Sequence, residues 1–451
     1  MRKKVVDKIP KLDSLKQLNL NAAGVDIGAA EIWVCVPEGR DPAPVQKFET
    51  FTCELKRIAV WLHECGVDTV AMESTGIYWI PLYDLLEQEG FRVFLVNARQ
   101  VKNVPGRKSD ILDCQWIQQL HSYGLLRTSF RPDRDIRELR DLNRHRDNLF
   151  SDRMRHIHHM QKALHLMNIQ LDNVISDITG MTGMKIIRAI VGGQHDPEKL
   201  SAFRDPNCKN SREVIAKSLE GSYSKEHLFS LKQSLQLYDY YSELIRECDR
   251  EMEKVYEQWP QGYDGQKALP PSRKKNSHCK NEPHYDLRSC LYRLCGVDLT
   301  QVDGFNSVSV QDLVTETGTD MTRWKKDKNF TSWLCVSPNN DISGGKVLKS
   351  KTRRTKNRAN LAFRQCAQSL LRSKSALGAY ARRMHARLGA PKAITAVANK
   401  LARIYYRMMK TKKEYVDPGE DYYIKKNKNR EIRKIAKRAA SLGYYLVPAV
   451  L

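Results

Sequence analysis

Four acidic residues of the chain stand where buried secondary structure is expected. Asp26 and Glu73 each lie in a short apolar run that is typical of a β-strand, while Asp110 and Asp113 lie three residues apart in a helical segment. An unpaired carboxylate inside a strand is costly because the buried charge loses its hydration. A bound cation offsets that cost, so the four acids together predict the metal centre of a nuclease or a strand-transfer enzyme.

The chemistry expected of such a centre is phosphoryl transfer assisted by Mg²⁺, with Mn²⁺ as a substitute. Two divalent ions about 4 Å apart activate an attacking oxygen and stabilise a leaving one, and Mg²⁺ prefers oxygen ligands. Asp110 and Asp113 share one helix face at their spacing. Each also has a purely structural interpretation, in which Asp110 stabilises a helix N-terminus and Asp113 is a solvated surface residue.

A serine in the C-terminal half offers a nucleophile. Ser343 precedes Gly344 and Gly345, and glycines allow the backbone to bend sharply and a phosphate to approach closely. Serine needs a base or a metal to attack a phosphodiester. No histidine lies nearby in the sequence, so the metal centre would have to activate Ser343. The alternative is that Ser-Gly-Gly is only a flexible turn.

The segment around this serine is strongly basic. Between Lys325 and Arg358 there are ten Lys or Arg and two Asp. Such a run either contacts the phosphate backbone of a nucleic acid or is simply a solvated surface. The residues predicted to bind nucleic acid are Lys346, Lys349, Lys351, Arg353, Arg354, Lys356 and Arg358.

The elements that would position these residues divide the chain into an α/β part and a helical part. After the first 20 residues, three strands precede an alternation of helix and strand, which indicates an α/β domain with a mixed sheet. The C-terminal domain is predicted to be mostly α-helical. The predicted divisions are a charged leader (1–20), the α/β domain (21–130), a helical region (131–258), a polar linker or insertion (259–290), the C-terminal domain (291–415) and a basic tail (416–451).

Two long segments of the helical region carry apolar stripes at helical spacing. They run from 133 to about 171 and from about 213 to 258. A stripe of this kind is typical of a coiled coil that binds a second chain. It is equally typical of two helices that pack on each other within one chain, and the sequence leaves both interpretations open.

The whole chain is basic, with 76 Lys and Arg against 52 Asp and Glu in 451 residues and a net charge of +24. This excess predicts a polyanionic partner; a membrane surface is the alternative, although the sequence has no lipidation signal. It also has no apolar run of about 18 residues, the length that spans a membrane, and its N-terminus lacks an apolar signal core. A cytoplasmic protein is therefore expected.

The cysteines fit the same expectation. There are eleven, an odd number, and none forms a C-x-x-C pair, so reduced thiols are predicted rather than a disulfide framework. One candidate metal cluster consists of His278, Cys279, His284, Cys290 and Cys295. Its spacing matches no standard zinc pattern, which favours free thiols in a polar loop.

The order of the motifs resembles a known family. Asp26 lies in Gly-Val-Asp-Ile-Gly and Glu73 in Met-Glu-Ser-Thr-Gly-Ile-Tyr-Trp, while Asp110 and Asp113 end Asn-Ala-Arg-Gln-Val-Lys-Asn-Val-Pro-Gly-Arg-Lys-Ser-Asp-Ile-Leu-Asp. Ser343 lies in Ile-Ser-Gly-Gly-Lys, which is followed by Leu-Gly-Ala-Pro-Lys-Ala-Ile-Thr-Ala and Lys-Leu-Ala-Arg. As an ordered set, these motifs make the chain similar to the DEDD-type transposases of bacterial insertion sequences.

The resemblance implies a RuvC-like ribonuclease H fold for the first domain, with Asp26, Glu73, Asp110 and Asp113 as metal-binding acids. It also implies that Ser343 is a nucleophile that forms a covalent phosphoserine with DNA. Members of the family are recombinases guided by a structured bridge RNA, which pairs with both target and donor DNA. They assemble as dimers of dimers, and the acids of one protomer act with the serine of another.

Three functions are compatible with these features. The first is an RNA-guided DNA recombinase that cuts and rejoins strands through a 5′-phosphoserine. The second is a hydrolytic nuclease or Holliday-junction resolvase that uses only the four acids and water. The third is a non-catalytic nucleic-acid-binding protein. A covalent protein–DNA adduct distinguishes the first function from the other two.

Overall fold

The chain divides into two compact units, Met1–Arg131 and Pro132–Leu451. The computed structural model describes residues 16–74, 76–97, 110–259, 268–272 and 281–447. Within these ranges no helix combines the length and the apolar character needed to cross a membrane.

The first unit is built around a mixed five-stranded sheet. Its elements are β1 (Ala22–Ile27), β2 (Glu31–Cys35), β3 (Val45–Glu49), α1 (Thr52–Glu64), β4 (Thr69–Glu73), α2 (Trp79–Gln88), β5 (Arg92–Val96) and α3 (Asp110–Ser122). The strand order is β3-β2-β1-β4-β5. Strand β2 is antiparallel to β1 and β3, whereas β1, β4 and β5 are parallel to one another. The predicted α/β domain with a mixed sheet is confirmed.

The two faces of the sheet carry different cores, because successive strand residues point to opposite sides. Helices α1 and α2 contribute to the core on one face, which includes Val25 of β1 and Met72 of β4. On the other face, residues of α3 pack against Ala71 of β4 and Val96 of β5. By this alternation, Asp26 and Glu73 belong to the same face of the sheet as α3.

Helix α3 runs antiparallel to β1 and β4. Near its C-terminal end, the Gln118 side chain donates a hydrogen bond to the carbonyl of Ala22 (3.1 Å), and His121 Nε2 lies 2.9 Å from Thr69 Oγ1. Ala22 and Thr69 are the first residues of their strands. The N-terminal turn of α3, which carries Asp110 and Asp113, is therefore directed towards the carboxyl ends of β1 and β4.

The burial of His121 makes the stability of the first unit pH-dependent. Loss of hydration, together with the charge of Arg92, lowers the pKa of His121 to about 4 from its ordinary value near 6.5. The unfolded chain then binds more protons, so stability is complete above about pH 6.5 and falls as the pH drops towards 4. We expect a loss of about 2 kcal/mol between pH 7 and pH 5, which His121→Gln removes. Urea titrations of the unaltered protein and of His121→Gln at pH 7 and pH 5 measure the free energy of unfolding. An equal pH dependence in the two proteins would contradict the role of His121.

The described residues of the second unit are helical apart from one hairpin and the connecting loops. Its helices are α4 (Arg134–Leu166), α5 (Leu171–Val174), α6 (Met181–Val191), α7 (Pro197–Ser201), α8 (Arg212–Ser218), α9 (Lys225–Gln258), α10 (Leu287–Cys295), α11 (Ser307–Thr317), α12 (Asp327–Trp333), α13 (Arg358–Ser369), α14 (Ala376–Leu388), α15 (Ala390–Thr411) and α16 (Glu420–Ser441), with short 3₁₀ turns at Leu299–Gln301 and Leu370–Arg372. The hairpin consists of β6 (Asn339–Ser343) and β7 (Lys346–Lys351). The predicted helical C-terminal domain is confirmed, with this hairpin as an addition.

Helices α4 and α9 form an antiparallel pair within the chain. Leu149 of α4 packs with Ile245 and Met252 of α9. Further along α4, Leu164 packs in a core that contains Leu231 and Leu235 of α9. Part of the apolar stripe on each helix is therefore used by the other, as one of the two interpretations of the sequence expected. A coiled coil between two chains stays a prediction.

A buried salt bridge connects α4 and α9. The guanidinium of Arg146 on α4 donates to both carboxylate oxygens of Asp249 on α9, and the two side chains are only 4% and 6% exposed. Arg146 also donates to the carbonyl of Asn281 (2.8 Å). Beside it, Asn143 donates to Asp312 of α11 and accepts from Gln311 of the same helix, at 2.9 Å in each case.

Breaking the buried pair from one side is expected to be severely destabilising. Arg146→Met leaves the Asp249 carboxylate buried without its cation, at a cost of about 3–5 kcal/mol. The matched control is Arg188→Met, because the partner of Arg188 is the exposed Asp239 on the same α9, and such a pair contributes less than about 1 kcal/mol. Urea denaturation of the two variants measures the loss in free energy of unfolding for each. Equal effects of the two variants would show that burial of the pair does not matter.

Several predicted boundaries are corrected by the structure. The helix expected to reach residue 171 ends at Leu166, and the one expected from 213 is two helices, α8 and α9. The predicted linker ends early, because α10 begins at Leu287 within its range.

The expectation that the cysteines around residue 290 lie in a polar loop is wrong. Cys290 and Cys295 are buried on α10, and burial raises the pKa of Cys295 to about 12. His284 is exposed, while His278 and Cys279 lie outside the described residues. The ten cysteines that the structure describes all carry free thiols.

Candidate active site

Two of the predicted acids lie at the same edge of the sheet. Val25 of β1 pairs in parallel with Met72 of β4, and Asp26 and Glu73 are the residues that follow this pair. They are thus side by side on neighbouring parallel strands, on the face towards α3. Glu73 is only 7% exposed and Asp26 is half-buried. Two carboxylates placed together with so little hydration fit a cation with oxygen ligands.

The closeness of α3 and β1 depends on Gly24. A Cβ atom at this position would lie 2.2 Å from the backbone nitrogen of Gln118 and 2.3 Å from the carbonyl oxygen of Cys114. Only glycine therefore permits this contact between strand and helix backbones. Asp26 is two residues further along the same face of β1, next to the N-terminal turn of α3.

The charge of Asp26 affects a cysteine on α3. The pKa of the Cys114 thiol is raised by a hydrogen bond with Cys35, by burial and by the negative charges of its surroundings, including that of Asp26. Cys114 follows Asp113 in the sequence. The charge of Asp26 therefore acts on α3 at the residue after Asp113, which is itself half-buried.

The complete quartet of acids stays a prediction. Asp110 is the first residue of α3, but its side chain lies outside the described part of the structure. Among the side chains that the structure does describe, no three His, Cys, Asp or Glu form a group able to hold a metal ion. Asp26 and Glu73 are adjacent in the fold, and the backbone of the first turn of α3 lies towards the same end of the sheet.

Ser343 lies at the tip of the β6–β7 hairpin. Gly344 and Gly345 have φ angles of +54° and +75°, which are left-handed values that glycine adopts without strain. Two such residues form the tightest connection between antiparallel strands. Every residue of both strands is exposed, and Ser343 pairs across the hairpin with Lys346. The arrangement presents a hydroxyl group with a cationic side chain as its cross-strand neighbour.

Two other serines of this region have different surroundings. The hydroxyl of Ser337 donates to Thr331 Oγ1 (2.9 Å) and accepts from the Asn399 side chain (3.1 Å), which ties the base of the hairpin to the helical core. Ser350 lies on β7, opposite Asn340 and away from the turn. Ser343 alone of these three adjoins the two glycines.

The predicted nucleic-acid contacts fall into two groups. Lys346, Lys349 and Lys351 are exposed on β7, and Arg354 and Lys356 are exposed in the segment that follows. By contrast, two of the predicted contacts already have partners in the protein. Arg353 donates to the carbonyl of Ser332 (2.6 Å), and Arg358 lies 3.5 Å from Asp147 of α4.

Comparison with known families bears on both groups of candidate residues. Residues 23–169 match the family model of the DEDD transposases of IS110, described as a transposase. Residues 298–382 match a second model, described as the transposase of the IS116/IS110/IS902 family. Together the two matches cover about half of the chain. The chain carries IS110-family transposase domains.

The matched ranges of this transposase enclose every predicted catalytic residue. All four acids lie in the first range and Ser343 in the second. The family assignment made from the motifs is thereby confirmed, as is a DNA-transposing enzyme in general terms. No curated protein matches the transposase significantly.

Sequence reasoning missed three features of the site. The first is Gly24, for which a glycine inside a strand run was a usable signal of close backbone approach. The second is the Cys35–Cys114 contact beside Asp26, which joins residues too far apart in sequence to be recognised. The third is the β6–β7 hairpin, although a Gly-Gly pair between two short runs is a known hairpin signal.

Proposed function

We propose that this transposase is an RNA-guided DNA recombinase that cuts and rejoins strands through a covalent 5′-phosphoserine on Ser343. The observation that carries the proposal is the position of Ser343, exposed at a left-handed Gly-Gly turn within a transposase domain. A hydroxyl held on such a tip can approach a phosphodiester without hindrance from neighbouring side chains. The mixed sheet, with α3 across Asp26 and Glu73, supports a RuvC-like fold for the first unit.

The proposed reaction conserves the energy of the phosphodiester bond. The Oγ atom of Ser343 attacks the scissile phosphorus and forms an O–P bond, while the bond from phosphorus to the 3′ oxygen breaks. The serine loses its proton and the departing 3′ oxygen gains one, so protons balance. In the reverse step, a 3′-hydroxyl of the partner strand attacks the phosphoserine and restores the free serine. No ATP is consumed.

The acids would hold Mg²⁺, or Mn²⁺ in its place. Asp26 and Glu73, at adjacent strand ends, would supply oxygen donors, and Asp110 and Asp113 on the first turn of α3 would complete the set. When bound, the metal would lower the barrier by neutralising charge that develops on the phosphate. Lys346, opposite Ser343, would contribute a further positive charge beside the scissile phosphate.

Guidance by a bridge RNA and assembly as dimers of dimers complete the proposal. The net charge of +24 supports a large polyanionic complex. Target and donor DNA would be read by pairing with the RNA, while the protein holds shape and backbone.

The test is to map the covalent bond in the unmodified protein. Full-length protein is incubated with its guide RNA, DNA and Mg²⁺, denatured, digested with nuclease and protease, and analysed by mass spectrometry. The expected product is the peptide that contains Ser343 with a nucleotide remnant on its hydroxyl. A remnant on another residue, or DNA cleavage with no adduct, would contradict the proposal; the latter would favour a hydrolytic nuclease.

A further inference from the structure

The C-terminal helix α16 is held on the surface of the second unit. None of its residues is buried, and it carries eight Lys or Arg against three Asp or Glu. Two of the acids attach it to α14, because Glu420 accepts a hydrogen bond from Arg382 and Glu431 lies 3.4 Å from Arg383. The helix lies outside both ranges that match the transposase models. Neither matched domain therefore accounts for its cations.

The cations of α16 are not evenly distributed around the helix. Lys426, Arg430, Arg433 and Lys437 follow one another at intervals of four, three and four residues, which places them on one helix face. All four are exposed. We call them the basic stripe; at 1.5 Å per residue it is about 16 Å long. Neither acid that attaches α16 to α14 interrupts it.

A second set of cations on α15 adjoins the basic stripe. Lys400, Arg403 and Arg407 are spaced three and four residues apart and so share a face of α15. Helix α14 packs against both α15 and α16, which brings these two helices to neighbouring positions. The pKa of Lys400 is lowered by loss of hydration and by the positive charges of Arg407, Arg403 and Lys426. The two helices therefore bring like charges together, against their mutual repulsion.

The described residues do not fully neutralise this cluster. Asp327 is 3.8 Å from Arg403 and 3.7 Å from Arg407, too far for a strong hydrogen bond. The Nε atom of Arg403 is buried and has no hydrogen-bond partner. An anion with several oxygen atoms, bound to the exposed cations, would relieve the repulsion.

We propose that α15 and α16 form a second DNA-binding surface, which grips the phosphate backbone of duplex DNA in addition to the contacts around Ser343. A linear row of cations matches a linear row of phosphates, and backbone contacts position DNA without reading its sequence. DNA is chosen as the partner because the chain carries transposase domains. The surface does not depend on the chemistry proposed for Ser343.

The experiment compares two variants that remove equal charge from the same helix. One replaces the basic stripe: Lys426→Gln, Arg430→Gln, Arg433→Gln and Lys437→Gln. The matched control replaces the other four cations of α16: Lys425→Gln, Lys428→Gln, Lys434→Gln and Arg438→Gln. Because α16 has no buried residue, both full-length proteins should fold, and circular dichroism verifies this. Binding is measured over a range of salt concentrations, without Mg²⁺, with a labelled 30-base-pair DNA duplex, an RNA hairpin and vesicles containing phosphatidylserine.

The stripe variant is expected to bind duplex DNA more weakly and to show a smaller salt dependence. Loss of four phosphate contacts lowers the slope of log K against log salt by about 3 to 4, whereas the control should change it by less than about 1. Equal changes in both variants would overturn the proposal, since net charge alone would then explain them. A loss confined to the RNA hairpin or to the vesicles would also overturn it. Since binding is measured without cleavage, the result is independent of the serine mechanism.

Discussion

Ser343→Ala is expected to abolish the covalent protein–DNA adduct and strand transfer, with activity reduced at least about 10⁴-fold. Loss of the attacking oxygen leaves no group at the hairpin tip to form the ester, and a reaction without its nucleophile loses the whole benefit of covalent catalysis. The affinity for DNA should change less than about twofold, because the side chain is small, uncharged and exposed at the tip. A denaturing gel of labelled DNA measures the adduct.

Ser350→Ala is the matched control for this result. Ser350 belongs to the same exposed hairpin but lies opposite Asn340, away from the glycine turn. Its hydroxyl should therefore be dispensable for the adduct. Ser337→Ala is not an equivalent control, because it also removes the hydrogen bonds to Thr331 and Asn399 at the hairpin base. An adduct that survives Ser343→Ala, or disappears in Ser350→Ala, would show that the nucleophile is wrongly assigned.

Asp26→Asn and Glu73→Gln should each reduce DNA strand cleavage about 10³-fold or more. Each substitution keeps the shape of the side chain but removes a negative charge from the edge where β1 and β4 end, and metal assistance of phosphoryl transfer is worth several kcal/mol. The stabilisation by Mn²⁺ should also be reduced in each variant, because a ligand that binds the folded state raises its stability only as far as it still binds. Cleavage assays with Mg²⁺ and thermal-shift titrations with Mn²⁺ measure the two effects.

Asp68→Asn serves as the control for the acid variants. Asp68 precedes β4 at the opposite, amino end of the strand, and its carboxylate is exposed beside Arg92. Its removal should affect neither cleavage nor the stabilisation by Mn²⁺. If Asp26→Asn still cleaves DNA, or still gains stability from Mn²⁺ like the unaltered protein, the acids are not the metal site.

The first unit was the more predictable part, for a physical reason. Its strands other than β3 are short, mostly apolar runs bounded by polar turns, and its helices carry one apolar face, so local patterns agree with the final fold. The acids were recognisable because Asp26 and Glu73 violate those patterns. Residues that break a local rule are expected at functional sites, where chemistry outweighs stability.

The hairpin and the helix contacts could not be derived in the same way. Asn339–Ser343 has little apolar character, so no alternation of burial marked it as a strand. The contact between Gly24 and α3 joins residues about 90 positions apart, and a single sequence contains no signal that predicts such a contact. The same holds for Arg146 and Asp249, each of which resembles an ordinary surface charge until both helices are in place.

The contact at Gly24 acts as a mechanical stop for α3. Side chains that meet across an interface can change rotamer and let the elements move closer, but two backbones in van der Waals contact have no such freedom. The approach of α3 to β1 is therefore limited by atomic radii at Gly24, Cys114 and Gln118. Substitutions elsewhere on α3 can tilt or slide the helix, yet they cannot bring it nearer to β1 at Gly24. The minimum distance between helix and strand at this point is thus set by the main chain rather than by core packing.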